Sequence, residues 1–279
     1  MSRALPEIET ALVVSATAGD SASVTAVVRA LQGPVFAVAQ RMLGDAGDAE
    51  DATQESLIRI VTRLGQFRGE ARFTTWALRI AVRRILDFRE HRAARASYSF
   101  DEFSADLADG ADHEAPERIE DALLHRQIKI ACTRAMLHCL DGDHRIAFVL
   151  GDVLELSSVD AAEVLEIEAA THRKRLSRAR AAMQEFLGRN CGVYDAVAPC
   201  RCHARLGRAL ALGRVDPNAL EAKHGDLVQL RRHISTFEQM RRVAAFFQAD
   251  PELEHRRDFV VVVREMLTTL DTDHLEDPP

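Results

Sequence analysis

The chain has 279 residues, 47% of them hydrophobic and 28% charged, with a formal net charge of -7 at pH 7. That length predicts two or three small domains, and the apolar content excludes global disorder. No run of about 18 apolar residues is present, so no membrane span is expected, and the opening MSRALPEIETAL lacks the charged-then-apolar order of a signal peptide.

Ala, Leu, Arg and Glu dominate, which favours an all-α fold. Five cysteines with no export signal argue against a disulfide framework and for a cytoplasmic protein. No nucleophile elbow, paired-carboxylate motif or phosphate loop is found. No catalytic residue is therefore assigned, and the chain reads as a non-enzyme. The net acidity conceals a block pattern. Between Arg59 and Arg95 ten Arg face only Glu70, Asp87 and Glu90, whereas between Ala96 and Asp121 nine acids face only Arg118. His172 to Arg180 holds five Lys or Arg residues and no acid. Basic blocks on predicted helices are the electrostatic footprint of a nucleic-acid binder.

In chain order, Asp20 to Leu43 is a helix by the spacing of Val24, Val27, Val28, Leu31 and Val35, with Pro34 expected to bend or split it. Gly44 to Asp48 is a turn, and Asp45 or Asp48 caps the next helix. On that helix Leu57, Ile60, Val61 and Leu64 form the buried stripe. Asp48, Asp51, Gln54 and Glu55 leave a polar, mostly acidic face, which is either solvated or a docking face for a basic or helical partner. After a glycine-containing loop the following helix sets Phe73, Trp76, Ala77 and Ile80 beside Arg72, Arg79 and Arg83. Rings stack on unpaired bases and guanidinium groups neutralise phosphates. The rings also suit a core, but Arg72 and Arg79 have no acid at the following turn to pair with.

Ser97 to Pro116 is rich in Asp, Ala and Ser and reads as an acidic linker. A helix spans Glu117 to Leu140, with Cys132 and Cys139 on one face as structural thiols. From Arg145 a helix runs to Leu156. Ser157 or Ser158 then caps a short helix to Leu165, Glu166 to Glu168 make a tight turn, and a basic helix follows. Short helix, tight turn and basic helix make a helix-turn-helix, whose second helix enters the major groove. Leu176, Ala179, Met183 and Leu187 supply the buried stripe of that helix, so its basic residues face outward.

DAEDATQESLIRIV followed by FRGEARFTTWALRIAVRRILDFRE resembles region 2 of bacterial RNA polymerase sigma factors of the extracytoplasmic-function (ECF) type. The segment from Arg145 to Leu187 resembles sigma region 4, with the pattern Thr171, Arg175, Leu176, Arg178, Ala179, Arg180. The resemblance covers roughly residues 15 to 190. It implies a promoter-specificity subunit that binds core RNA polymerase and promoter DNA and needs no cofactor. Asp48, Asp51, Gln54 and Glu55 then lie where region 2 grips the clamp helices of the polymerase largest subunit. Arg72, Phe73, Thr74, Trp76, Arg79, Arg83 and Arg84 lie on the side that captures and melts the −10 element. Thr171, Arg173, Lys174, Ser177 and Arg178 are the −35 contacts, in a region that also touches the polymerase flap. Two departures stand out. Glu166 occupies a turn position that usually carries Gly, at about 1 kcal/mol for a left-handed residue. Glu168 replaces the usual Ser cap.

The implied organisation is region 2 over 15–95, an acidic linker over 96–116, region 4 over 117–190, and a mostly helical extension over 191–279. Cys191, Cys200, Cys202 and His203 are residue types that hold zinc, but their spacing fits neither a ribbon nor a finger. A redox-sensitive thiol pair and a plain linker are the alternatives. Leu220 to Leu270 reads as helical, broken at Pro251, with Phe259 to Leu270 a helix or a strand. Typical members of the family end soon after region 4. The extension is therefore either a candidate regulator that masks a polymerase or DNA face, beside an anti-sigma factor as external inhibitor, or a purely stabilising appendage. Two other classes stay open: a stand-alone helix-turn-helix regulator, and a zinc- or redox-sensing interaction protein.

Overall fold

The structure is a computed structural model that describes residues 5–91, 98–115, 122–215 and 257–265. The chain packs as two units. One comprises residues 1–95, 149–173 and 252–279, the other 96–148 and 174–251. Among the described residues every regular element is a helix, and the only β-type pairing is an isolated bridge between Cys191 and Cys200.

In the first unit, α1 (Thr10–Thr17), α2 (Ser21–Leu43), α3 (Ala46–Thr62) and α4 (Phe73–His91) form a bundle, joined by α8 (Ser158–Leu165). Asp20 caps α2 by accepting from the Ser23 amide at 2.8 Å, and Asp45 caps α3 by accepting from the Asp48 amide at 2.9 Å. These caps satisfy amides that have no partner inside the helix. Gly44 ends α2 at φ 79°, the left-handed conformation that a glycine takes without strain.

Of the two outcomes expected at Pro34, splitting is excluded: α2 is continuous through it. One of the clashes that a proline imposes falls on the Cβ of the preceding residue, and that residue is Gly33, which has none. Val27, Leu31, Val35 and Val38 are at most 1% exposed, so packing holds both halves in line. By length and composition α2 could cross a membrane. Its apolar side is instead taken up by α1, α3 and α4 within this bundle.

The second unit contains α5 (Phe100–Ala108), α6 (Ala122–Cys139), α7 (Gly142–Phe148) and α10 (Cys202–Ala211), with residues 174–190 of α9 (Ala169–Asn190). Here the linker expectation is corrected, because Ser97 to Pro116 contains α5. Ser99 and Glu102 make a full capping box, and Phe103 and Leu107 are buried one turn apart. The Phe103 ring stacks on Phe186 at 5.0 Å, and Ser104 donates to Asn190 at 2.7 Å. Two acidic side chains of the segment are held by arginines as well. Asp106 takes both Arg214 terminal nitrogens at 2.6 and 2.9 Å, and Arg208 pairs with Asp109.

The helix expected to reach Leu156 ends earlier. After α7 the backbone widens into a π-type stretch, Val149–Val153, and Glu155 adopts φ 56°. The start of the helix expected from Glu117 lies outside the described residues, as do Leu227, Leu230, Ile234, Phe237, Val243, Phe247 and Pro251. Of Phe259 to Leu270 the described part, residues 259–265, is helical (α11), which removes the strand alternative there.

Candidate nucleic-acid and partner interface

The polar face of α3 is not uniform. Asp48 is only 7% exposed, close under the Asp45 cap, whereas Asp51, Gln54 and Glu55 are half-buried on the surface. Thr53 and Ser56 point inward and donate to Ala49 and Ala52 carbonyls at 2.6 Å, which lets a polar helix bury two hydroxyls without loss. Glu55 is tied to α4, its carboxylate receiving Arg84 Nη2 at 2.6 Å and Nε at 2.7 Å. Glu50, which the sequence reading left out of the acidic face, stands with Asp51 and Gln54. All three contact Arg257, at 3.3, 2.6 and 3.1 Å respectively.

Along α4 the candidate residues divide. Phe73 is 5% and Thr74 6% exposed, so as placed they support the surface rather than form it. Phe67, Phe73 and half-buried Trp76 pack their rings with centroids 5.2 to 5.5 Å apart. That cluster fixes the loop to the first turn of α4 and presents Trp76 at its rim. Arg83 is exposed. Arg84 is held over the Phe88 ring at 5.5 Å as well as by Glu55.

Arg72 and Arg79 are ion-paired to α8. Arg72 Nη2 meets Asp160 Oδ1 at 2.7 Å. Arg79 reaches the Glu163 carboxylate at 2.9 Å and donates from Nε to the Glu163 carbonyl at 3.1 Å. The Ser157 hydroxyl, and then Arg72, hold the Asp160 carboxyl below its usual range. Hydrogen bonding to Asp160 likewise raises Arg72 further.

Ser157, one of the two expected caps, starts α8 by accepting from the Asp160 amide at 3.1 Å. Glu166 ends α8 at φ 55°, ψ 42°, in the left-handed conformation expected of the turn. Its amide bonds to Glu163 O at 3.4 Å and the Ile167 amide to Ala162 O at 3.0 Å, the paired bonds of a Schellman ending. In α9 the buried side carries Leu176, Ala179, Met183 and Leu187. Arg173, Lys174, Ser177 and Arg178 are exposed, and Thr171 is half-buried near the turn. Arg175 pairs with Asp143 at 2.6 Å.

The cysteine candidates fall in the second unit. Cys191 and Cys200 lie side by side through the bridge, with Gly192 N donating to Cys200 O at 3.0 Å. None of the five cysteines is in a disulfide. Burial pushes the Cys200 thiol up to about 11 and Cys139 to about 12, so both are protonated and weak nucleophiles at neutral pH. Among the described residues no group of three or more His, Cys, Asp or Glu is placed to hold a metal ion.

Residues 27–95 match the family model of Sigma-70 region 2, and residues 130–183 that of Sigma-70, region 4. The RNA polymerase sigma-H factor of Pseudomonas aeruginosa is 32% identical over 177 residues, covering 61% of this chain and 88% of the relative. The chain belongs to the ECF-type sigma factors of bacterial RNA polymerase. The ECF sigma factor SigC of Mycobacterium tuberculosis is 31% identical over 177 residues, covering 63% of this chain and 90% of the relative. Among solved structures, CnrH in complex with the cytosolic domain of CnrY is similar with a TM-score of 0.46 and 24% identity, over 63% of this chain and 95% of that one. As a sigma factor the protein is a promoter-specificity subunit of RNA polymerase. Everything after residue 183 lies outside both family matches.

Proposed function

We propose that the two matched regions divide the work of promoter recognition by charge. The acidic face of α3, with Asp48, Asp51, Gln54 and Glu55, docks on core polymerase. Arg72, Arg79, Arg83 and Arg84, with Trp76 at the rim of the Phe73 cluster and Thr74 behind it, serve the −10 element. Thr171, Arg173, Lys174, Ser177 and Arg178 read or anchor the −35 element in the major groove. In this reading residues 15–95 are the region 2 domain, 96–116 connect it to region 4 over 117–190, and 191–279 are an added, regulatory extension. The chain performs no covalent chemistry and needs no cofactor, since the polymerase supplies catalysis. It acts in the cytoplasm with that enzyme.

The observation that best supports this division is on α9. Four polar or basic side chains in its first half are exposed while the apolar stripe is buried. Exposed cations on a second helix after a tight turn suit a DNA groove better than a protein core. The test is selection from a random duplex library, by the chain with core polymerase and by the chain alone. Two motifs at fixed spacing, recovered only with the polymerase, are expected. A single motif recovered equally well by the chain alone would favour a stand-alone helix-turn-helix regulator.

A further inference from the structure

The last described segment of the extension, residues 257–265, belongs to the same packed unit as α3. Arg257 is the meeting point. Its Nη1 lies 2.6 Å from Asp51 Oδ1 and 3.1 Å from Gln54 Oε1, and its Nε lies 3.3 Å from Glu50 Oε2. These acceptors sit at successive positions and one turn on, so a single planar guanidinium fork spans all three. Two residues further on, Phe259 is fully buried, with its ring 6.3 Å from that of Phe36 on α2. Val260 and Val263 are buried beside it. Asp258 caps the turn by accepting from the Val260 amide at 3.0 Å.

The contact thus has a charged head and an apolar anchor. An exposed ion pair alone holds a segment weakly, because water and salt screen it. A buried phenylalanine supplies the hold, and the arginine then fixes where the segment lies. Asp51 and Gln54 are also two of the four side chains assigned above to core polymerase. Arg257 already occupies Asp51 Oδ1 and Gln54 Oε1, so a basic group of the polymerase meets it as a competitor for the same acceptors.

We propose that residues 257–263 are an internal occupant of the polymerase-docking face, so that the extension and core polymerase compete for α3. This rests on the sigma reading of that face. Competition lowers the apparent affinity in proportion to the fraction of molecules whose face is open. Loosening the segment therefore tightens polymerase binding without touching any residue that binds it. The chemistry of the occupant also describes the external partner: an arginine beside an apolar side chain, presented from a helix or turn.

The experiment is a fluorescence titration of the labelled full chain with core RNA polymerase, using wild type, Arg257→Glu and Phe259→Ala. Thermal unfolding of each variant is measured alongside. Hydrogen exchange of residues 260–263 is followed in the free chain and in the complex. Both variants should bind about 5-fold more tightly or better, and those amides should lose protection on binding polymerase. Unchanged or weaker binding by folded variants, or amides equally protected in the complex, would overturn the proposal alone. If no form binds polymerase, wild type included, the sigma reading fails and the proposal with it.

Discussion

Arg72 and Asp160 meet at 2.7 Å, one on α4 and the other on α8, and Arg79 repeats the link to Glu163 at 2.9 Å. Two arginines assigned above to the −10 element are therefore held by acids from the first helix of the helix-turn-helix. The free protein keeps these cations paired; under the proposed −10 role, DNA has to displace the carboxylates.

Replacing Asp160 with Asn keeps an acceptor for the helix cap and removes the charge. Arg72 is largely exposed, so the pair contributes less than about 1 kcal/mol to folding. The holoenzyme carrying Asp160→Asn should bind a forked −10 oligonucleotide more tightly, by up to about 5-fold, which is the equivalent of that pair. Fluorescence anisotropy at fixed salt measures it. Unchanged binding would place Arg72 outside the −10 surface.

Arg178 is exposed on α9, whereas Arg175 is half-buried and paired with Asp143. Arg178→Ala should weaken promoter binding. A phosphate contact would lower the salt slope by about 1 for all sequences, and a base contact would cost about 1–3 kcal/mol at one base pair. Arg175→Ala should change binding little and lower the unfolding free energy by about 1 kcal/mol or less. Salt titrations and urea unfolding separate the two.

Phe103→Ala tests whether the acidic segment is structured. The ring is 3% exposed and stacked on Phe186 at 5.0 Å. Its loss should lower the unfolding free energy by about 3 kcal/mol or more, as for other buried rings. A solvated linker would show almost no change in urea unfolding.

Glu166 takes φ 55° where a side chain is strained. Glu166→Gly should stabilise the protein by about 1 kcal/mol, read as a rise in thermal midpoint.

His138 gives a pH dependence. Burial, and then the Arg145 guanidinium, push its imidazole down to about 4. Arg145 Nη1 lies 3.0 Å from Nδ1, and an arginine is only a donor, so that nitrogen accepts and carries no proton. The unfolded chain takes up the proton first, near its ordinary 6.5. The contribution is therefore complete above that pH and is lost as pH falls from it towards about 4. At about pH 5 the loss is at most about 2 kcal/mol, and His138→Gln should flatten it in urea unfolding.

Local rules made much of the fold legible. Asp20, Asp45 and Ser157 cap the helices they were expected to start, and the stripe Leu57, Ile60, Val61 and Leu64 is buried. The left-handed Glu166 followed from the family resemblance, in which that turn position usually carries Gly. Helix α5 was hidden because its acids dominate the composition, while only Phe103 and Leu107 carry the buried pattern. The helix runs through Pro34, where the neighbour Gly33 removes one of the clashes a proline imposes. The partners of Arg72, Arg79 and Arg257 were not legible at all. Each lies far away in sequence, and a charge pattern tells which residues want a partner without telling which one they find.

Run-off transcription tests the central claim most directly. Core polymerase, with either the full chain or Arg257→Glu, would be given a linear template carrying the motif that the holoenzyme selects. A discrete transcript that depends on the chain is expected from both, with more from Arg257→Glu. If folded protein of either form leaves the products of core polymerase unchanged, the account is contradicted and the chain is a DNA-binding regulator acting without polymerase.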